Sequence, residues 1–129
     1  MLDSEGLSAV ARNDNEDARA VLASSREAGV PVLVPAIVLA ETLLGDRRDA
    51  RANQVFKKLQ VVPVDEPLAL VAAELTRSAD MGGVAATVDA IVVAVSAAAG
   101  GGVILTAHSD DIRKLASAVS DVRIRLVRV

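Results

Sequence analysis

The chain has 129 residues, enough for one domain with a substantial core and too few for two of ordinary size. Its formal net charge of −3 excludes nucleic-acid binding by bulk electrostatics, leaving only a local basic patch or bound cations for that purpose. Hydrophobic residues make up 52% of it, yet Phe56 is the one aromatic and cysteine is absent. The core must therefore be Ala, Val, Leu and Ile, which suits helices on a parallel sheet. Disulfides and thiolate chemistry are excluded, and a reducing, cytoplasmic setting fits.

Met1 to Ser4 reads as a very short strand ending at Asp3. Asp3 and Glu5 stand where a signal peptide would carry its basic region and apolar run. A small helix follows over Leu7 to Arg12, then a polar break at Asn13, Asp14 and Asn15. Asn15 is a plausible N-cap for a helix to Ala28, with Gly29 as its terminator. Val30 to Val34 is a second strand, and Pro35 opens a helix where proline costs least. That helix runs through Glu41, a lone acid in an apolar element, to Gly45. Asp46 to Arg51 is charged surface; a helix then reaches about Leu59, and Val61 to Val64 is a third strand. Glu66 and Pro67 start a helix ending near Gly82.

The stretch from Thr87 to Ala107 is the most informative. Asp89 is its only acid, followed at once by Ile91, Val92, Val93 and Val95, so it reads as heading a helix buried on most sides. Gly100, Gly101 and Gly102 end that helix, and Val103 to Leu105 has the pattern of a strand buried on both faces. Ala90 to Ser109 carries no Asp, Glu, Lys or Arg, which raises a membrane span. The three glycines and the switch to a strand-like run favour a soluble helix plus strand instead. Ser109 caps a helix over Asp110 to Ala118, and Val122, Ile124 and Leu126 alternate with Arg123 and Arg125 as a half-exposed edge strand. The expected fold is α/β: one domain over residues 1–129, a central parallel sheet of four to five strands flanked by helices.

In an open parallel sheet, ligands collect at the carboxyl ends of the strands. Asp3, Glu41, Asp89 and the pair Asp110 and Asp111 all fall on that side. Converging carboxylates repel unless a cation sits between them, and hard oxygen ligands suit Mg²⁺, with Mn²⁺ as the alternative. Such a site activates water for in-line displacement at phosphorus. The lack of Cys and the single His argue against structural zinc. Plainer readings exist for each residue. Asp89 is also a good first-turn helix acid, as are Asp110 and Asp111 behind Ser109. Glu41 on a solvated face is disfavoured by its neighbours Ile37, Val38 and Leu44. Arg47, Arg48 and Arg51 are the densest basic cluster, able to position RNA phosphates or simply to be solvated.

LDSEGLSAVAR at the start, VPAIVLAETLLG in the middle, TVDAIVVAVSAAAGGGVILTAHSDDIRKLA and the alternating final strand together resemble a PIN domain. In particular they are similar to the VapC toxins of bacterial toxin–antitoxin pairs. The resemblance spans nearly the whole chain in order and spacing. It implies Mg²⁺-dependent endoribonuclease activity on RNA, homodimerisation, and neutralisation by a small VapB-like antitoxin inserted into the active-site groove. Asp3, Glu41 and Asp89 match the family's three core acids, Ser4 the hydroxyl after the first, and Thr106 the one ending the fourth strand. The family commonly has Thr-x-Asp there, whereas this chain has His108, and Asp111 matches a second acid three residues on. The resemblance thus gives Asp3, Glu41, Asp89 and Asp111 catalytic roles, with Asp110 as a further candidate metal ligand. Ser4 and Thr106 would orient carboxylates, and Arg47 and Arg48 would hold RNA. A binding module of the same fold that does not cleave is the main alternative. A phospho-accepting receiver domain fits poorly, with only Asp3 and Glu5 early and Asp65 after Val64.

Overall fold

Asp3 decides where the first helix begins. Its carboxylate accepts a hydrogen bond of 2.6 Å from the backbone N–H of Gly6, so it is the N-cap of α1 (Ser4–Arg12). The expected first strand shrinks accordingly to one bridge, Leu2 pairing in parallel with Leu105. This computed structural model describes residues 1–43, 45 and 49–129.

Asn15 caps α2 (Glu16–Glu27) through a bond of 2.8 Å from Ala18 N–H, as its sequence position predicts. β1 (Leu33–Pro35) starts later than expected, beyond Pro31, and Pro35 delivers the chain into α3 (Ala36–Thr42). α4 (Asp49–Phe56) leads to β2 (Gln60–Val62), which stops at Pro63 because proline has no N–H for a ladder. Asp65 caps α5 (Glu66–Ser78). α6 (Val84–Ala98) is followed by the glycine turn and β3 (Gly102–Thr106). α7 (Ser109–Ala116) begins one residue earlier than predicted, with His108 rather than Ser109 at the cap. β4 (Ile124–Arg128) closes the order.

β1 pairs with β2 and β3 with β4, both in parallel. Leu2 joins the two pairs: its N–H donates to Leu33 O at 2.9 Å, while Leu105 N–H donates to Met1 O at 3.1 Å. The array therefore reads β2, β1, Leu2, β3, β4, which is the expected parallel sheet with its central member reduced to a bridge. The core is aliphatic, as composition requires. Leu7, Val34, Val38, Val92, Val93, Ile104, Leu105, Ile112 and Leu115 are all buried. Full burial of such side chains stabilises by roughly 1.5–3 kcal/mol each. α6 is buried from Val88 to Ser96 without a break, which is why its sequence shows almost no polar face. Among the described residues no helix is long and apolar enough to cross a membrane. The uncharged stretch is spent on α6, its turn and β3.

Two glycines permit close backbone approach. A Cβ at Gly101 would meet the Arg123 carbonyl, where β4 starts beside β3. A Cβ at Gly6 would overlap the Leu105 carbonyl oxygen, so α1 lies directly on β3. Gly6→Ala should therefore destabilise the protein by about 1–3 kcal/mol. The ~1 kcal/mol that alanine ordinarily gains in a helix does not offset that overlap. Urea unfolding monitored by far-UV circular dichroism checks this, and an unchanged midpoint would mean that α1 can ride off β3 freely.

Candidate active site

Because the sheet is parallel, the ends of β1 and β3 and the turn after Leu2 lie on one side. Asp3 follows Leu2 there and is almost wholly buried, at 2% exposure. Thr106, the last residue of β3, is fully buried; its hydroxyl bonds the Asp3 carboxylate and accepts the His108 backbone N–H at 2.9 Å. Gly6 N–H from α1 holds the other side of that carboxylate. Asp3 is thus fixed from the first turn of its own helix and from the distant end of β3.

Asp89 enters from α6. It occupies the second turn, not the head, since α6 begins at Val84; the reading of Asp89 as a cap or first-turn acid is thereby corrected. Only 9% of the residue is exposed, and no hydrogen bond or ion pair reaches its carboxylate among the described residues. Burial pushes its pKa up to about 6, and the nearby charge of Asp3 adds to the rise. Asp111 and Glu41 push the same way with smaller effects, while His108 pulls against them. Burial likewise raises Asp3, opposed by its bonds to Thr106 and Gly6 and by the charge of His108. Five groups from four parts of the chain therefore act on one spot. Asp3 and Asp89 form its buried floor, and Glu41 of α3, His108 and Asp111 of α7 form an exposed rim.

Asp110 is turned elsewhere. Its carboxylate pairs with Arg113 at 2.6 Å on the solvated side of α7, and it is not among the charges acting on Asp89. The helix phase explains the choice, because Ile112 and Leu115 are buried and Asp111 shares a face with Leu115, four residues on. Ser4 opens α1, half-buried, and no hydrogen bond joins its hydroxyl to a carboxylate among the described residues. Arg47 and Arg48 lie outside the described residues, and Arg51 is exposed on α4. Sequence reasoning overlooked Gly6, whose signal was a glycine three residues after a capping acid. A cavity of about 510 Å³ lies beneath α2, lined by Val21, Val32, Val103 and Val127. None of the site acids borders it, so its size carries no chemistry here.

The donor set suits a hard divalent cation: carboxylate oxygens, two of them buried and one with no internal partner. Among the described residues no group of three or more acids or histidines is placed to hold a metal ion as the side chains stand. Glu41 and Asp111 are exposed side chains with free torsions, so approach to a cation costs them little beyond rotamer entropy. The buried charge has a consequence without metal. The Asp89 pKa of about 6 in the folded protein lies above its ordinary value of 3.8, so the folded state keeps a proton the unfolded chain has released. That contribution is present at low pH and lost as pH rises through about 6. In EDTA, Asp89→Asn should be more stable than wild type at neutral pH, by on the order of 1 kcal/mol after allowance for the open rim. The gain should vanish near pH 4. Urea unfolding at the two pH values tests this, and a loss of stability at neutral pH would show that the carboxylate is satisfied internally.

A comparison with curated proteins gives no match. Among solved structures, the chain is similar to one in the crystal structure of VapBC2 from Rickettsia felis bound to a DNA fragment from their promoter. The TM-score is 0.72 at 12% identity, covering 99% of this chain and 96% of that one, which is a likeness of fold. The sequence itself matches the PIN domain over residues 1–118, a span that includes every acid of the cleft. The chain belongs to the PIN domain family.

Proposed function

We propose that this PIN domain is a VapC-like, metal-dependent endoribonuclease, with Asp3, Glu41, Asp89 and Asp111 holding a divalent cation, Mg²⁺ or Mn²⁺. The observation that carries the proposal is Asp89: a carboxylate in the most apolar helix of the chain, without a partner, beside a second buried carboxylate. Structural acids are paired or solvated, whereas an arrangement that raises a carboxylate pKa in a cleft marks a site. When bound, a divalent cation supplies Lewis-acid chemistry to phosphodiester hydrolysis, acidifying water and offsetting charge on the phosphate.

The chain's own groups have distinct parts in this reading. Thr106 and Gly6 N–H hold Asp3 in one orientation, and the apolar residues of α6 surround Asp89. Glu41 and Asp111, exposed at the rim, would complete the set of residues that holds a cation. RNA is the substrate class. Phe56 packs against the core, so it offers no stacking surface and RNA is gripped through phosphates and the cation. The fold of the VapBC2 chain supports a VapB-like antitoxin as partner. The exposed apolar Leu70 and Val71 of α5 and Val84 of α6 support a homodimer, and a cytoplasmic setting belongs to the same proposal.

One observation favours a second reading, a PIN-fold binding module that does not cut. His108 stands where an acid would complete the set, and the ligand cage is not closed. Incubation of a mixed RNA pool with the protein and Mg²⁺ or Mn²⁺, beside an identically purified Asp89→Asn variant, separates the two. Metal-dependent cutting that falls roughly 100-fold or more in the variant is expected. Equal cutting by both would overturn the catalytic assignment, and no cutting by either folded protein would establish the binding module.

A further inference from the structure

The parallel sheet sets its side chains in rows, and one row ends in a cation. Leu2 bridges Leu105, while β3 and β4 pair Leu105 with Val127 and Thr106 with Arg128. Paired residues of neighbouring strands share a face of the sheet, and successive residues alternate between faces. Leu2, Leu105 and Val127 accordingly all line the cavity beneath α2. The next row, Asp3, Thr106 and Arg128, therefore stands on the opposite face, at the carboxyl ends of the strands. The Thr106 hydroxyl joins the first two members, and Val129 N–H ties the end of β4 to Thr106 O at 3.1 Å. With neighbouring strands about 4.8 Å apart, the Cα of Arg128 lies about 10 Å from that of Asp3. Arg128 has no acid of its own. Arg12, Arg19, Arg77 and Arg113 each pair with a carboxylate. The Arg128 side chain is exposed and makes no hydrogen bond or ion pair among the described residues. Nor is it among the charges that act on Asp3 or Asp89, so it stands beside the buried acids without neutralising them.

We infer that Arg128 is a substrate-positioning residue, holding the RNA phosphate that neighbours the reacting one along the strand. That role rests on the proposed nuclease function and names the side chain that aligns its substrate. The reacting phosphate must come to Asp3 and Asp89, where no Lys or Arg acts. RNA carries one charge per nucleotide, so a free cation one row to the side meets the next phosphate. A guanidinium suits the task, because its planar fork bonds two phosphate oxygens at once and it is charged at every working pH. Contact of this kind fixes the register of the strand over the acids and reads no base. The other arginines of this stretch are placed differently. Arg125 lines the cavity beneath α2, and Arg123 lies at the far end of the strand, against Gly101. A merely protective set of charges on an edge strand would make the three arginines equivalent. The row through Thr106 singles out Arg128.

The test is binding of a short, labelled single-stranded RNA of mixed sequence to the full chain carrying Asp89→Asn, so that bound RNA is not cut. Fluorescence anisotropy is followed over a series of salt concentrations with Mg²⁺ present. Arg128→Ala, Arg128→Lys, Arg123→Ala and Arg125→Ala are added singly to that chain, their folds checked by circular dichroism. Arg128→Ala should weaken binding on the order of fivefold at low salt, uniformly across sequences. It should also lower the slope of log K against log salt by about 0.7, the loss of one single-strand phosphate contact. A purely structural role would leave that slope unchanged. Arg128→Lys keeps the charge and should keep the slope, while Arg123→Ala and Arg125→Ala should stay within about twofold of the parent. In the cutting assay, Arg128→Ala alone should slow cleavage at low RNA concentration and recover at saturation. An unchanged slope in Arg128→Ala, or equal losses in all three alanine variants, overturns the inference and leaves the nuclease reading standing. The expected pattern in a protein whose wild type does not cut supports the inference and overturns the nuclease reading. Absence of RNA binding, both by the Asp89→Asn chain and by wild type in EDTA, overturns both.

Discussion

The hydrogen bonds that converge on the Asp3 carboxylate hold the architecture to its chemistry. Gly6 N–H comes from α1, the Thr106 hydroxyl from the end of β3, and Asp3 itself follows Leu2, the residue that joins the two strand pairs. One carboxylate thereby sets the start of a helix, the end of a strand and the floor of the cleft. The arrangement needs a glycine at position 6, because any larger residue would lift α1 from the Leu105 carbonyl and carry the donor away. Bonds to an ionised acceptor contribute roughly 1.5–3 kcal/mol each. They oppose, without cancelling, the burial that raises the Asp3 pKa.

Charge is handled in two ways in this molecule. On the surface, acids have basic neighbours: Asp14 with Arg12, Glu16 with Arg19, Glu74 with Arg77 and Asp110 with Arg113. Such exposed pairs are worth little individually and keep the helices soluble. In the cleft the rule is reversed, since acids from four elements act on one another and no Lys or Arg is among the charges felt by Asp3 or Asp89. Burying unpaired charge costs several kcal/mol in a protein whose total stability is about 5–15. The fold tolerates this cost at one spot, with basic residues to spare elsewhere, and it is this contrast that the proposed function rests on.

Legibility in the sequence followed the strength of the local signal. Asp89 and Glu41 stood out because each is a lone acid in an apolar run, and both reach the cleft. The sequence does not mark the start of α6, because Val84 to Ala86 carries no capping or charged residue and Gly83 caps the helix without a side-chain bond. The choice between Asp110 and Asp111 needed the phase of α7 against the sheet. That phase was available from Ile112 and Leu115 once their burial is known. The first strand was overestimated because pairing and capping compete for Asp3, and capping wins as soon as Gly6 can approach. The two-sided role of Thr106 was beyond reach of pattern, since it depends on which segments the sheet brings alongside β3.

Thr106 also explains how the side chain at residue 108 can change without disturbing the rest. What the fold requires of residue 108 is its backbone N–H, which occupies one lone pair of the Thr106 hydroxyl while that hydroxyl bonds Asp3. Any residue but proline supplies that N–H. The side chain at 108 points into no packed core and satisfies no buried group, so carboxylate and imidazole are equivalent to the scaffold and unequal only to what enters the cleft. Substitution at this position is therefore almost free of a stability cost, while Asp3 and Asp89, bound into α1, β3 and α6, admit no such freedom.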